Sequence, residues 1–385
     1  MKNSLKLFFP NYFTFFFNGA TVLHLGAILP FIISETGINY AVAGTLLSLF
    51  AIGNFLASFV NPFLTKYVGR KNSILITAVF QPIGLILLTL KMPVFVLMIS
   101  FLLLGVSRGC YSIINNAYIN EKGDGSASNL NILHMVFAIG AFLSPLLLSL
   151  CEALNVSWRF ATYFLTLGSI FSVLFIFSLD LSQSPVQKGL SKTNETSVQK
   201  SKFWKMKVFY VSGFLLFFYL GLENCVNGWF VSYFKDSGIM SSTFANTLVS
   251  LTWACVLIGR FVTAVLSSKI KSKYIILCEC VATAIFFVLL TVSKNLNLVT
   301  VSILGLGFFF AGIYPTVVAN AGKAIRGSDF GTSMLLAIAA LGGIITPQIV
   351  GFVADKTGLA GAISLLVINV VVMLVLAFIN LVDKD

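Results

Sequence analysis

The chain has 385 residues, 58% of them hydrophobic and 10% charged, with a net charge of +12. Soluble domains carry about a quarter charged residues, so a soluble fold could not hide this much apolar surface. The apolar runs are too long and too irregular in alternation for barrel strands, and they match the ~20 residues a helix needs to cross about 30 Å of hydrocarbon.

Taken in chain order, the runs predict spans at residues 8–33, 40–64, 72–90, 94–119, 127–150 and 159–180, then 206–234, 242–267, 273–293, 297–320, 330–353 and 359–381. The expected fold is an all-α polytopic membrane protein of twelve transmembrane helices. The first run is too long for a signal peptide, has no small-residue cleavage site and is followed by many more spans, so it reads as part of the mature protein. Glu35 to Asn39 is the sole break between the first two spans, and Lys91, Met92 and Pro93 mark the break before the fourth. With both termini inside, eighteen Lys and Arg fall in cytoplasmic segments and five outside, with Arg108 and Arg260 left within helices. That is the positive-inside bias of a multi-pass protein of an inner or plasma membrane, and it removes nucleic acid as the reason for the positive charge.

Asp180 to Lys205 is polar and lysine-rich and cannot bury enough apolar area to fold by itself. It reads as a flexible cytoplasmic linker, residues 181–205, between an N-terminal six-helix bundle, 1–180, and a C-terminal one, 206–385. An internal repeat at an offset of about 201 residues supports the division. Glu35-Thr36-Gly37-Ile38 pairs with Asp236-Ser237-Gly238-Ile239, Gly109-Cys110-Tyr111 with Gly312-Ile313-Tyr314, and Gly140-Ala141-Phe142-Leu143-Ser144-Pro145 with Gly342-Gly343-Ile344-Ile345-Thr346-Pro347. Each half holds an even number of spans, so the bundles are pseudo-symmetric about the membrane normal, an arrangement that lets one rock against the other around a central site. The six cysteines lie mostly within helices, form no secreted framework, and read as small apolar residues without metal.

The 6+6 repeat, the basic Lys66-Tyr67-Val68-Gly69-Arg70-Lys71 loop and the central linker resemble the major facilitator superfamily over essentially the whole chain. Within it, Asn131-Ile132-Leu133-His134 with Phe137-Ala138-Ile139-Gly140 and Ser144-Pro145, Tyr219-Leu220-Gly221-Leu222-Glu223 with Gly228-Trp229, and Gly307 through Ala311-Gly312-Ile313-Tyr314-Pro315-Thr316 are similar to the fifth, seventh and tenth helices of the fucose permease-like branch of sugar/cation symporters. The resemblance implies that spans one, four, seven and ten line a cavity. It departs at Lys66, where the family carries an acidic residue, and in the first and fourth helices, where the branch has proton-coupling carboxylates. Here the fourth offers Ser112 ahead of the retained Asn116, and the first has no carboxylate.

Charged groups at mid-membrane are costly and face water or a partner. Arg108, Tyr111 or Ser112, and Asn115 share a helix face, as do Tyr219, Glu223 and Asn227, Thr21 and His24, and Thr316 and Asn320. Candidate substrate contacts are His24, Arg108, Tyr111, Asn115, Asn116, His134, Tyr219, Asn227, Trp229, Trp253, Tyr314 and Asn320. Arg108 offers a planar array of donors to a solute or an ion-pair partner. Glu223 is the leading ion-coupling residue and His24 the second. Glu279, in a span expected at the periphery, reads as structural, and Arg260 as a gate or interface group.

No Gly-rich Lys loop, metal cluster or nucleophile-base pair is visible, so neither an ATP-driven pump nor an enzyme is expected, and no cofactor. The expectation is a monomeric secondary transporter, in contact with membrane lipid, that moves a small polar solute, foremost a sugar, by alternating access coupled to H+, with Na+ as the other candidate. The alternative is a carrier or exporter of an anionic or amphipathic metabolite held by Arg108.

Overall fold

The computed structural model describes residues 2–90, 93–122, 127–178, 203–325 and 329–383. Among these the fold is all-helical: α1 (Lys2–Thr36), α2 (Tyr40–Thr89), α3 (Val94–Lys122), α4 (Ala127–Ala153), α5 (Trp158–Ser178), a 3-10 turn (Phe203–Lys205), α6 (Lys207–Asp236), α7 (Ser242–Ser267), α8 (Ser272–Val292), α9 (Leu296–Ile325), α10 (Asp329–Leu365) and α11 (Val367–Val382). Large apolar side chains remain exposed, Phe261 at 72% and Val292 at 76% among them. Water would penalise such a surface and lipid does not, so the chain is a multi-pass membrane protein.

Eleven segments of the described residues are long and apolar enough to cross a membrane, against the twelve expected. The difference lies in residues 331–382, a single 52-residue stretch spanning the last two expected spans. A second correction concerns residues 65–71, expected as a loop. There the helix of span two passes directly into that of span three, with the direction changed at Gly69 alone (φ 78°, ψ 162°). Gly358 has nearly the same conformation (φ 75°, ψ 166°) inside α10. A side chain with a Cβ resists that region, so one glycine at each place does the work of a loop. Most of the 181–205 linker lies outside the described residues; its last three form the 3-10 turn.

The chain divides into two compact units, one of Met1–Thr36 with Leu49–Thr196, the other of Gly37–Ser48 with Ser197–Asp385. The first turns of α2, which the sequence places in the N-terminal half, therefore group with the second unit. In the first unit α1 packs on α4, α5 and α3; in the second α6 packs on α10 and α11, while α9 packs on α7 and α8.

The same close approaches recur in both units. A Cβ on Gly140 of α4 would stand 2.0 Å from the Phe16 carbonyl oxygen of α1, and one on Gly342 of α10 would stand 1.8 Å from the Phe217 oxygen of α6. Likewise Gly105 of α3 meets the Phe50 oxygen of α2, and Gly307 of α9 meets the Thr252 oxygen of α7. All four pairs keep the offset of about 201 residues found in the sequence. Small residues let membrane helices bring their backbones together, and here the duplication is one of contacts as well as of letters. Gly37 and Gly238, matched in the repeat, both end helices with φ near 65° (66° and 65°).

Candidate functional site

In the first unit the expected polar residues fall into four groups. Asn11 donates to Asn115 Oδ1 at 2.9 Å, Thr14 donates to the same oxygen at 3.1 Å, and Asn115 donates to the Tyr111 carbonyl at 2.8 Å. Tyr111 and Asn115 are each 2% exposed, and Tyr111 sits in an apolar cluster with Phe8, Phe15 and Ile114. They fasten α1 to α3. Nearer the surface, His134 Nε2 lies 3.1 Å from Asn116 Oδ1, with the His134 ring edge-on to Phe15. Arg108 is half-buried, its guanidinium carbon 5.5 Å from the Phe50 ring centroid, a stacking that a planar cation favours.

His24 is fully enclosed. Its Nε2 is 2.8 Å from Thr162 Oγ1 of α5 and its Nδ1 is 3.5 Å from Ser144 Oγ of α4, so one imidazole links three helices. Its face-mate Thr21 accepts a 2.6 Å bond from Gln81.

The second unit gathers more of the expected residues in one place. Tyr219 shares its hydroxyl proton between Glu223 Oε1 at 3.1 Å and the Phe310 carbonyl at 3.2 Å. Its ring lies 5.3 Å from Phe310 and 6.3 Å from Tyr314. One turn along α6, Asn227 Oδ1 accepts the Trp253 indole N–H at 3.2 Å. Glu223, Asn227 and Tyr314 are partly exposed, so α6 and α9 together present a carboxylate, an amide and one aromatic ring, with Tyr219, Phe310 and Trp253 buried behind them. Water or a solute can meet such a surface, and it has both hydrogen-bonding and stacking groups.

Two expected contacts lie elsewhere in that unit. Trp229 is fully buried, donates to the Pro347 carbonyl at 3.3 Å and meets Tyr40 edge-on. Asn320 donates to Asn380 Oδ1 at 2.8 Å, tying α9 to α11.

Two further charged residues lie near this cluster. Arg260 and Glu279 both act electrostatically on the Tyr219 hydroxyl alongside Glu223, and Glu279 accepts a 2.6 Å bond from Thr263. For Glu279 a charge within a span is the signal in the sequence, and its place in a span expected at the periphery argues against it; Arg260 lies near the inner end of its span, where a gate or interface role is the expectation. A cavity of about 670 Å³ lies in the first unit, lined by Glu35, Leu88, Pro93, Val94, Trp158 and Arg159 among others. It contains none of the residues above. Its polar wall is an ion pair, Arg159 to Glu35 at 2.6 and 3.0 Å, with the Trp158 indole also donating to Glu35 at 2.8 Å. Those groups satisfy one another, which makes the cavity a poorer solute site than the Glu223 surface.

The sequence profile of the Major Facilitator Superfamily matches residues 11–347. The chain is 22% identical to the "Protein TsgA homolog" of Erwinia tasmaniensis, covering 94% of this chain and 91% of that one. It is 21% identical to the "Protein TsgA" of Shigella flexneri, with 93% and 90% covered. Among solved structures it is similar to the nucleoside transporter NupG (TM-score 0.77, 17% identity, 99% and 98% covered). It is also similar to the D-xylose-proton symporter (TM-score 0.73, 14% identity, 96% and 95% covered).

Proposed function

The chain belongs to the Major Facilitator Superfamily, and from that premise we propose that it is a secondary active transporter of the cell membrane that carries a small polar solute, a sugar or a close relative, by ion-coupled alternating access. The observation that carries the reading is the Glu223 surface: a partly exposed carboxylate, hydrogen-bonded to Tyr219, beside the Asn227–Trp253 pair and Tyr314. Glu223 is the ion-coupling group, because a carboxylate within the membrane is favoured only when it meets a proton, a cation or water, and its partial exposure gives access to all three. Asn227 supplies a hydrogen-bonding amide and Tyr314 a partly exposed aromatic face, the two kinds of group that a sugar ring uses. The names of the solved proteins of like fold, one for nucleosides and one for D-xylose with protons, support the same solute class and symport.

We also propose that residues 331–382 form two spans divided near the kink at Gly358, which gives twelve in all, that both termini are cytoplasmic, a reading the basic asymmetry supports, and that the protein works as a monomer. Liposome uptake of a panel of sugars, nucleosides and organic anions, under separately imposed proton and sodium gradients, tests the function. Uphill accumulation of a sugar or nucleoside on one gradient is expected. Accumulation of organic anions alone would replace this reading by one centred on Arg108, and no gradient-driven flux of any solute would overturn it.

A further inference from the structure

The second unit holds another acidic side chain in a built environment. Glu279 of α8 is 6% exposed, and its two carboxyl oxygens differ in their surroundings. Oε1 accepts the 2.6 Å bond from the Thr263 hydroxyl of α7, while Oε2 is buried with no hydrogen-bond partner. Gly312 of α9 makes the space: a Cβ there would stand 2.0 Å from Oε1 and 2.4 Å from Thr263 Oγ1. Three helices thus converge on one carboxyl group.

Thr283 lies one turn beyond Glu279 on the same face of α8. It is fully buried, and its hydroxyl also lacks a partner. Most helical threonines avoid this by donating to the carbonyl four residues back, as Thr21, Thr252 and Thr291 do here. The Thr283 hydroxyl forgoes that bond and is turned elsewhere. Two buried oxygens, one of them from a carboxyl group, are therefore left on one helix face. Among the described residues no basic side chain pairs with Glu279. A bare carboxylate so enclosed is strongly disfavoured, and a bound cation removes the penalty.

Among the described residues the ionisable neighbours are few. Tyr219 of α6, hydrogen-bonded to Glu223 of the same helix, lies within electrostatic range of Glu279 and of Arg260 of α7; Tyr314 of α9 lies within range of Glu223; Cys280 adjoins Glu279 on α8 itself. Helix α11 has no ionisable side chain, and Asp355 of α10 is engaged at the start of α2.

We propose that Glu279, Thr263 and Thr283 form a binding site for a monovalent cation, a proton or sodium, separate from Glu223. The proposal rests on the ion-coupled reading above and adds a second cation position to it. A proton would bind at Oε2, turning the carboxylate into a carboxylic acid; sodium would use Oε2 and lone pairs of the two hydroxyl oxygens, whose protons stay in place.

The test is labelling of the purified full-length protein with dicyclohexylcarbodiimide, which attacks protonated carboxyls in apolar surroundings, read by mass spectrometry of the Glu279 peptide over a pH series in sodium or choline buffer. Sodium occupancy predicts about tenfold slower labelling in sodium than in choline once sodium is about ten times its Kd. Proton occupancy predicts labelling that follows pH alike in both buffers. In either case Thr263→Val and Thr283→Val must change the response, by loss of sodium protection or by about one unit in the pH midpoint. Labelling insensitive to pH and sodium, or unchanged in both threonine variants, overturns the proposal and leaves Glu279 a static buried acid. Glu223→Gln is run in parallel: a Glu279 response that survives it supports the separate site even where Glu223 proves not to couple, and a response that vanishes with Glu223 rejects separateness.

Discussion

Asp355 takes the backbone N–H of Tyr40 at 2.8 Å through Oδ1, from 315 residues away in the chain, while its Oδ2 takes that of Ala41 at 3.2 Å. Asn39 receives the Val42 N–H on its side chain, and its carbonyl takes the Ala43 N–H in the first ordinary i→i−4 bond, so the first three N–H groups of α2 each have a partner. A carboxylate at a helix N-terminus also gains from the dipole. The Tyr40 hydroxyl donates to Asp236, and Tyr40 packs edge-on to Trp229, which fixes the same turn from α6.

Asp355→Ala should therefore lower stability by about 1 to 2 kcal/mol, the usual cost of losing a capping side chain. Asp355→Asn, which keeps an acceptor but not the charge, should lose about half of that. Thermal unfolding of the purified protein in detergent reads both, and equal stability of Asp355→Ala and wild type would show the contact to be idle.

The duplicated glycine contacts make a second prediction. With the Phe16 and Phe217 oxygens within 2.0 Å of any added Cβ, Gly140→Val and Gly342→Val must push α1 from α4 and α6 from α10. Overpacking of this kind costs about 1 to 3 kcal/mol or more, so each variant should lose monodisperse protein on size exclusion. Gly322→Ala is the control, because nothing lies within 4 Å of a Cβ at that position.

These glycines also show what was legible. Gly140 and Gly342 stood out in the sequence as matched letters, but the carbonyl partners that give the match its physical meaning lie on other helices, where no local pattern points to them. Trp229 follows the polar face of α6 in the sequence and is expected as a substrate contact, yet two residues past Asn227 is a turn of about 200° and carries the indole to the opposite side. Glu279 was read as peripheral from the order of its helix; the groups that surround it, Thr263 and Gly312, belong to α7 and α9. Residues 65–71 looked like a loop because they are polar and basic, and sequence alone could not show that Gly69 would make the turn unaided. The helical class is legible from the length of the apolar runs, and the shared face of Tyr219 and Glu223, now joined by a hydrogen bond, from spacing within a single helix.

His24 offers a direct test of position against role. Its enclosure among α1, α4 and α5 makes it a group that holds helices together. His24→Ala should cost about 1 to 3 kcal/mol in thermal unfolding by leaving the Thr162 hydroxyl without its buried partner. A double-mutant cycle with Thr162→Val should return a coupling of at least about 0.5 kcal/mol. The ion dependence of transport should stay as in wild type; a stable His24 variant that changes the driving ion would move coupling to this residue.

Glu223 is where the reading of function is most exposed to refutation. Of the thirteen acidic residues in the sequence, Glu223 and Glu279 are the two within spans and away from their edges, and of these Glu223 alone is partly exposed, while Glu279 is enclosed at 6%. A coupling group must exchange its ion with water during the cycle, which an exposed carboxylate can do without any rearrangement of its neighbours. Glu223→Gln keeps the size of the side chain and an acceptor for the Tyr219 hydroxyl at 3.1 Å, so the packing of Tyr219 against Phe310 and Tyr314 should survive. The substitution removes only the charge that takes up the ion. Gradient-driven accumulation should fall to the level of empty liposomes, while exchange of solute at equal ion concentrations on both sides should partly persist, because exchange need not pass through a carrier that has released its ion. Uphill uptake, equilibrium exchange and their dependence on pH and sodium are to be measured in the same reconstituted preparations of wild type and variant. Full accumulation by a monodisperse Glu223→Gln protein would remove Glu223 from the coupling step, and the response of Glu279 to sodium and pH would then identify the carboxyl group that takes its place.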